Sequence, residues 1–273
     1  MLTIENKIFS HLSLQDPRKW KTSVREVAES DGLHVNSYRE LLEKVSEISY
    51  RNPNFTILFR GQVDDYKLKS KDNKKARSSI YPSIYRPEKG MKILKQGELV
   101  NRFELLEDSC KILVQNYSYN GRNRVKMFKE IQWALLQHYN KRRTPLVDVS
   151  HSLEVAVAFA NESGKNTNGY LYMFGLPHLT SSISYHVDER LVIVKLPSAC
   201  PPDALRAHFQ QAYLVGNFPH GESKKSPNNN LANRIIGKFY LNFKNFWGDG
   251  FKKIPKKVLE PHNDQIKKLI DGI

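Results

Sequence analysis

The feature that most limits how this chain can fold is the stretch from Ile131 to Ala160, IQWALLQHYNKRRTPLVDVSHSLEVAVAFA, read with the short run TILFRGQ at Thr56–Gln62. Both set polar groups capable of chemistry among residues that otherwise read as buried core. Along Leu146–Ser150 the two-residue repeat of a strand sends Leu146, Asp148 and Ser150 to one face and Val147 and Val149 to the other. Ser150 or Ser152 can cap the next helix, whose Ala156, Ala158 and Ala160 permit close packing on a sheet. A strand over Phe55–Phe59, ended by Gly61, delivers Arg60 to a strand end. If the two strands meet, a guanidinium lies beside a carboxylate and a hydroxyl.

The rest of the chain reads as helices first and strands later. Asp16 and Pro17 open a helix through Glu29, and Ser37 with Glu40 forms a capping box ahead of Leu41, Val45 and Ile48. Asp64–Ser79 is polar, lysine-rich and without periodicity, which predicts a mobile loop before Tyr81–Arg86. A long helix spans Gln96–Asn116. A second, Val125–Tyr139, turns Phe128, Ile131, Leu135 and Tyr139 inward and leaves Trp133 at its edge. Strands are expected at Gly169–Leu176, Leu191–Leu196, His208–Val215 and Ile235–Phe243, then a short helix over Pro261–Ile270. Strands do not alternate with helices as a doubly wound fold requires, so the expected class is α+β with a bent, mostly antiparallel sheet and N-terminal and inserted helices. Residues 1–54 form a helical part packed on a core unit of residues 55–273.

Composition excludes some classes. Of 273 residues, 40% are hydrophobic, enough for a full core, and no apolar run of membrane-spanning length or secretory leader is read, so a cytoplasmic protein without membrane contact is expected. Cys110 and Cys200 are too few for a disulfide framework or zinc cluster, and no metal is expected. Forty-three Lys and Arg against 28 Asp and Glu give +15, which favours polyanions. The excess gathers at Lys67, Lys69, Lys71, Lys74, Lys75 and Arg77, at Lys141, Arg142 and Arg143, and near Lys252–Lys257. These clusters form either one binding face or merely a solvated surface.

Four blocks in order carry a resemblance: Phe59-Arg60-Gly61-Gln62; Tyr81-Pro82-Ser83-Ile84-Tyr85-Arg86; Gln137-His138-Tyr139 with Thr144–Ala160; and Arg206 followed by Gln210 and Gln211. Together they resemble the FRG domain family over about Thr56–Val215. The family's layout is similar to the ADP-ribosyltransferase fold: an early-strand arginine, a middle strand whose hydroxyl leads into a helix, and a late-strand residue. Those positions would be Arg60, Ser150 and Gln210 or Gln211. Many transferases of that fold carry glutamate at the late position; glutamine can orient a ribose hydroxyl but cannot act as a base.

The resemblance implies an ADP-ribosyltransferase with NAD as co-substrate. Cleaving the nicotinamide–ribose bond develops positive charge at the ribose, as in glycoside hydrolysis, and requires a gripped pyrophosphate, a held ribose and a nearby acceptor. Arg60 would grip the pyrophosphate, with Gly61, Gln62, His151 and Ser152 around the dinucleotide. Ser150 and one of Gln210 and Gln211 would hold ribose hydroxyls. Asp148 or His138 would stabilise charge or take the acceptor's proton. Bland alternatives stand beside these: Arg60 as a structural arginine, Ser150 as a helix cap, Asp148 paired with Arg142 or Arg143, His138 as a satisfied helix-end histidine. Lys67, Lys69, Lys74, Lys75, Arg142 and Arg143, with Trp133, Tyr139 and Tyr213 for stacking, favour a nucleic-acid acceptor, RNA ahead of single-stranded DNA. The picture is similar to the nucleic-acid-modifying toxins of bacterial anti-phage defence, including the mRNA-modifying kind in toxin–antitoxin–chaperone systems, which implies an antitoxin partner. An NAD glycohydrolase and a non-catalytic nucleotide- or nucleic-acid-binding module remain as rivals.

Overall fold

The computed structural model describes residues 1–4, 7–69, 75–88, 93–161, 167–220 and 227–273. Helices α1 (His11–Gln15) and α2 (Val24–Glu29) precede a short strand, β1 (Leu33–Val35), and helix α3 (Tyr38–Arg51). The single helix expected from Asp16 to Glu29 is broken. Thr22 pairs with Ile8 in an antiparallel bridge, and Ser23 restarts the helix through a capping box with Glu26. Strand β2 (Thr56–Gln62) runs through Gly61 instead of ending there.

The segment read as a mobile loop contains a hairpin, β3 (Lys67–Lys69) and β4 (Ala76–Ser78). Tertiary contacts hold it: the Asp65 carboxylate accepts from Ser78 Oγ and the Tyr172 hydroxyl and pairs with the buried Lys238 ammonium. Helices α4 (Gln96–Asn116), α5 (Arg122–Met127) and α6 (Lys129–His138) follow. The expected Val125–Tyr139 helix divides at Phe128, whose backbone is extended, and Gln132 Nε2 donates to the Val125 carbonyl at the break. Helix α6 is buried continuously from Ile131 to Leu136. Trp133, expected at an edge, therefore sits inside, edge-on to the His220 ring at 4.6 Å.

Strand β5 (Leu146–Ser150) leads into α7 (Leu153–Ala160), which is capped by Ser152. Then come β6 (Asn168–Leu176), β7 (Ile183–His186), β8 (Leu191–Lys195), the short helices α8 (Leu196–Ala199) and α9 (Leu205–Phe209), β9 (Ala212–Asn217), β10 (Ile235–Asn242), α10 (Lys256–Leu259) and α11 (Gln265–Asp271). The strand expected over His208–Val215 is thus helix up to Phe209. Its helical turn is fixed from far along the chain, because the Asp264 carboxylate accepts from Arg206 N, from Lys267 N at the start of α11, and from the Tyr139 hydroxyl.

Eight strands form one sheet in the order β1-β10-β6-β2-β5-β9-β8-β7, antiparallel throughout except for the parallel pair β1–β10. The class is α+β, as expected, and the N-terminal part supplies an edge strand to the same sheet. Alternation along β5, β8 and β9 divides two cores. Val147, Val149, Ile193 and Val215 join the core shared with α2, α3 and α7, while Leu146, Val192, Val194 and Leu214 join the core shared with α4 and α6. Among the described residues, no helix is long and apolar enough to cross a membrane.

The sheet is almost cut in two at its centre. Strand β2 pairs with β6 over seven residues but with β5 only through Phe59 and Ser150. Helix α7 closes over the seam so tightly that a Cβ on Gly61 would sit 1.8 Å from the Ala156 carbonyl oxygen. Backbone cannot yield as a side chain does. Gly61→Ala is therefore expected to destabilise the fold by about 3 kcal/mol or more, read as a lower urea midpoint at unchanged slope.

Candidate active site

Beyond the Phe59–Ser150 bridge the central strands diverge. Continuing their register would bring Gly61 opposite Asp148; instead, the Arg60 side chain crosses the gap and its Nη1 donates to the Asp148 carbonyl oxygen at 2.5 Å. The opening holds a cleft of about 420 Å³. Arg60, Gly61 and Gln62 form one wall, Asp148 and Ser150 the other, and Arg206, Gln210 and Glu260 one end. Tyr66 and Arg86 lie along its rim, where both are exposed.

Three arginines face this space. Burial lowers the affinity of the Arg60 guanidinium for its proton, an effect opposed by the nearby Asp148 carboxylate. Arg86 is pushed down to about 10, first by desolvation and then by the positive charge of Arg60. Arg206 reaches Glu260 at 3.9 Å and lies 5.9 Å from the Tyr139 ring centroid. Arg60 Nε and Arg206 Nε are buried without a hydrogen-bond partner among the described residues. A buried donor left unpaired is unfavourable by itself, so both atoms are poised for an anionic ligand.

On the Asp148 side, one hydrogen-bonded network joins two sequence blocks. Gln137 Nε2 donates to Asp148 Oδ2 at 3.0 Å, while Gln137 Oε1 accepts from Ser83 Oγ at 2.8 Å and from Thr144 Oγ1 at 3.1 Å. His138 Nδ1 lies 3.1 Å from Asp148 Oδ1. Burial alone would raise the Asp148 pKa, but the hydrogen bond and charge of His138, the Arg60 charge and the Gln137 amide together bring it below its ordinary value. An ionised Asp148 fixes the His138 proton on Nδ1, leaving Nε2 as a lone-pair acceptor; that atom is buried and has no partner among the described residues. Such an imidazole, with one free lone pair, has the chemistry that a general base requires.

The other expected site residues fall into two groups. Ser150 faces the cleft, but its hydroxyl donates to the Gln210 carbonyl at 2.7 Å and accepts from Ser152 N at 3.0 Å. Gln210 is buried at the cleft end with Nε2 on the Leu259 carbonyl at 2.7 Å, whereas Gln211 is exposed with φ +42°. Neither glutamine lies on a strand, since β9 begins only at Ala212. Gln62 lines the cleft, and its buried Oε1 has no partner among the described residues; His151 is exposed, its N–H bonded to the Gln211 carbonyl, and Ser152 caps α7.

The expected nucleic-acid residues are dispersed and mostly engaged. Lys67 pairs with Asp31 at 2.7 Å, Arg142 donates to Ser109 Oγ at 2.7 Å, and Arg143 pairs with Glu88 at 2.8 Å. Neither Arg142 nor Arg143 pairs with Asp148, whose partners are His138 and Gln137. Lys75 is exposed, the Lys69 side chain and Lys74 lie outside the described residues, and Trp133, Tyr139 and Tyr213 are buried and offer no stacking face. Site reading from sequence passed over Gln137, Arg86 and Arg206, although each stands inside a quoted block, and Glu260, which has no local signal at all.

Fold and cleft together define an α+β protein with a cationic pocket at the split of a mixed sheet and an Asp–His pair in its wall. A family model, that of the FRG domain, matches residues 56–169, so an FRG domain is present in this chain. No curated protein and no solved structure matches the chain. The match covers β2, the Gln137–His138 pair, Asp148 and α7, and stops before Arg206, Gln210 and Glu260.

Acid stability tests the Asp148 network. Its folded pKa lies below the ordinary 3.8, so its contribution is complete above that value and is lost as pH falls through the lower folded-state value. Denaturation of wild type and Asp148→Asn between about pH 5 and pH 2 should show the gap between them narrowing as pH falls.

Proposed function

We propose that this protein is an ADP-ribosyltransferase that uses NAD as co-substrate and modifies a nucleic acid, RNA in the first instance, as the toxin of a bacterial anti-phage toxin–antitoxin system in the cytoplasm. The observation that carries the catalytic half is the meeting, in one cleft, of two arginines with buried unpartnered Nε atoms and a His–Asp pair with an open Nε2. These residues suit a dinucleotide: Arg60 and Arg206 would hold its pyrophosphate, and Gln62 would reach a hydroxyl or amide. When bound, NAD supplies an ADP-ribosyl group as the nicotinamide–ribose bond breaks and nicotinamide leaves with the bonding electrons. His138 takes the proton of the acceptor's nucleophile on Nε2, and Asp148 stabilises the imidazolium that results. The positive charge of Arg60 and Arg206 offsets the negative charge of the phosphates throughout. The net charge of +15 supports a polyanionic acceptor, and an antitoxin partner follows from the toxin reading.

A second reading draws on Ser150 and Gln210. The groups expected to hold ribose hydroxyls are already bonded to main chain, which favours a nucleotide-binding module without turnover.

Labelled NAD, incubated in parallel with RNA, single-stranded DNA, duplex DNA and cell lysate, separates these readings. Label is expected on RNA, absent with Arg60→Ala, and reduced by roughly 10²–10⁴-fold with His138→Ala. Label on protein would overturn the nucleic-acid half, and free ADP-ribose alone would identify a glycohydrolase. NAD binding without nicotinamide release would leave the binding module.

A further inference from the structure

A second concave surface lies at the opposite end of β2 from Arg60. Phe9, Trp20, Arg51 and Phe55 line a groove of about 290 Å³ together with Lys7 and Lys21. The Arg51 guanidinium lies 4.9 Å from the Trp20 ring centroid and 5.8 Å from those of both Phe9 and Tyr50. Phe9 meets Trp20 edge-on at 5.2 Å and props it from beneath. Trp20 is nonetheless 52% exposed and Tyr50 79% exposed, in a protein whose other two tryptophans are not among its exposed large side chains. Lys7, Lys19, Lys21 and Arg51 are all exposed, and no carboxylate is among the described residues lining the groove.

Two large aromatic faces turned to water, held around a guanidinium and ringed by cations, are poorly suited to solvent and well suited to a chain of bases and phosphates. Every base offers a π face for stacking, and the surrounding cations track the backbone. A duplex would hide those faces within its own stack. We infer that the Trp20–Arg51–Tyr50 surface binds single-stranded nucleic acid, with bases stacked on Trp20 and Tyr50 and phosphates met by Lys7, Lys21 and Arg51.

The inference deepens the acceptor half of the proposed function and rests on that reading for its biological meaning, but its chemistry does not involve the cleft. Phe55 belongs to the groove and Arg60 to the cleft, about 17 Å apart at the rise of an extended strand. The surface also differs from the cation clusters that sequence suggested, whose Lys67, Arg142 and Arg143 are held by partners in the protein.

Fluorescence anisotropy of a labelled 12-nucleotide single-stranded RNA with the full chain, in the absence of NAD, tests the inference at several salt concentrations. Trp20→Ala and Tyr50→Ala should each weaken binding by roughly 5- to 100-fold, while Trp20→Phe, which keeps a stacking face, should retain most of it. Lys21→Ala should lower the slope of log affinity against log salt by about 0.7. Thermal melts confirm that each variant is folded, and Trp20→Phe keeps the test decisive if Trp20→Ala is not. Unchanged RNA affinity in folded Trp20 and Tyr50 variants overturns the inference. So does loss of binding to an acidic polyglutamate peptide in those variants with RNA binding intact, which would assign the surface to an acidic protein. Because NAD is absent, failure here leaves the catalytic reading standing, and a catalytically silent protein that still loses RNA binding in Trp20→Ala would separate the two the other way.

Discussion

One backbone bridge, Phe59 to Ser150, holds together the two halves of the sheet, and the cleft exists because there is only one. Had β2 and β5 zipped along their length, the Asp148 carbonyl would have been satisfied by backbone. The strands part, and Arg60 reaches across to bond that carbonyl with a side chain. The same guanidinium therefore closes the sheet electrostatically and lines the opening it closes. Its Nη1 serves the fold and its Nε is left over, so a structural role for Arg60 does not exclude a functional one.

The wall opposite is built with similar economy. Gln137 takes two hydroxyls with its oxygen and gives its amide to Asp148, and Asp148 in turn sets the tautomer of His138. Ser83 comes from one sequence block and Gln137 and Thr144 from another, yet their side chains meet in one network. Buried polar networks of this kind are favourable only when every member is matched.

Those parts of the site that depend on local pattern were legible. The five-residue alternation of Leu146–Ser150, the Arg60 strand and the Ala-rich helix after Ser152 are fixed by residues within a few positions, and the structure places them together. What was not legible depends on partners distant in sequence. Asp264 caps α9 from 58 residues away and so turns a strand-like run into helix before Gln210. Lys238 and Tyr172 hold Asp65 and make a hairpin of a lysine-rich loop. Trp133 reads as an edge residue because periodicity shows one buried face, whereas α6 is enclosed on both sides by α4 and the sheet. The pairing of Lys67, Arg142 and Arg143 within the protein was hidden for a related reason: composition counts charges without showing which already have partners.

The FRG match ends at residue 169, within the first residues of β6, while the end of the cleft is made by Arg206, Gln210 and Glu260. A unit cut at the boundaries of that match would carry β2 and β5 without β9 beside one or most of β6 beside the other, leaving two long unpaired strand edges of the sort that drive self-association. The recognisable motif and the heritable folding unit are thus different lengths of chain. Recombination that moved the motif alone would transfer its signature and lose its pocket.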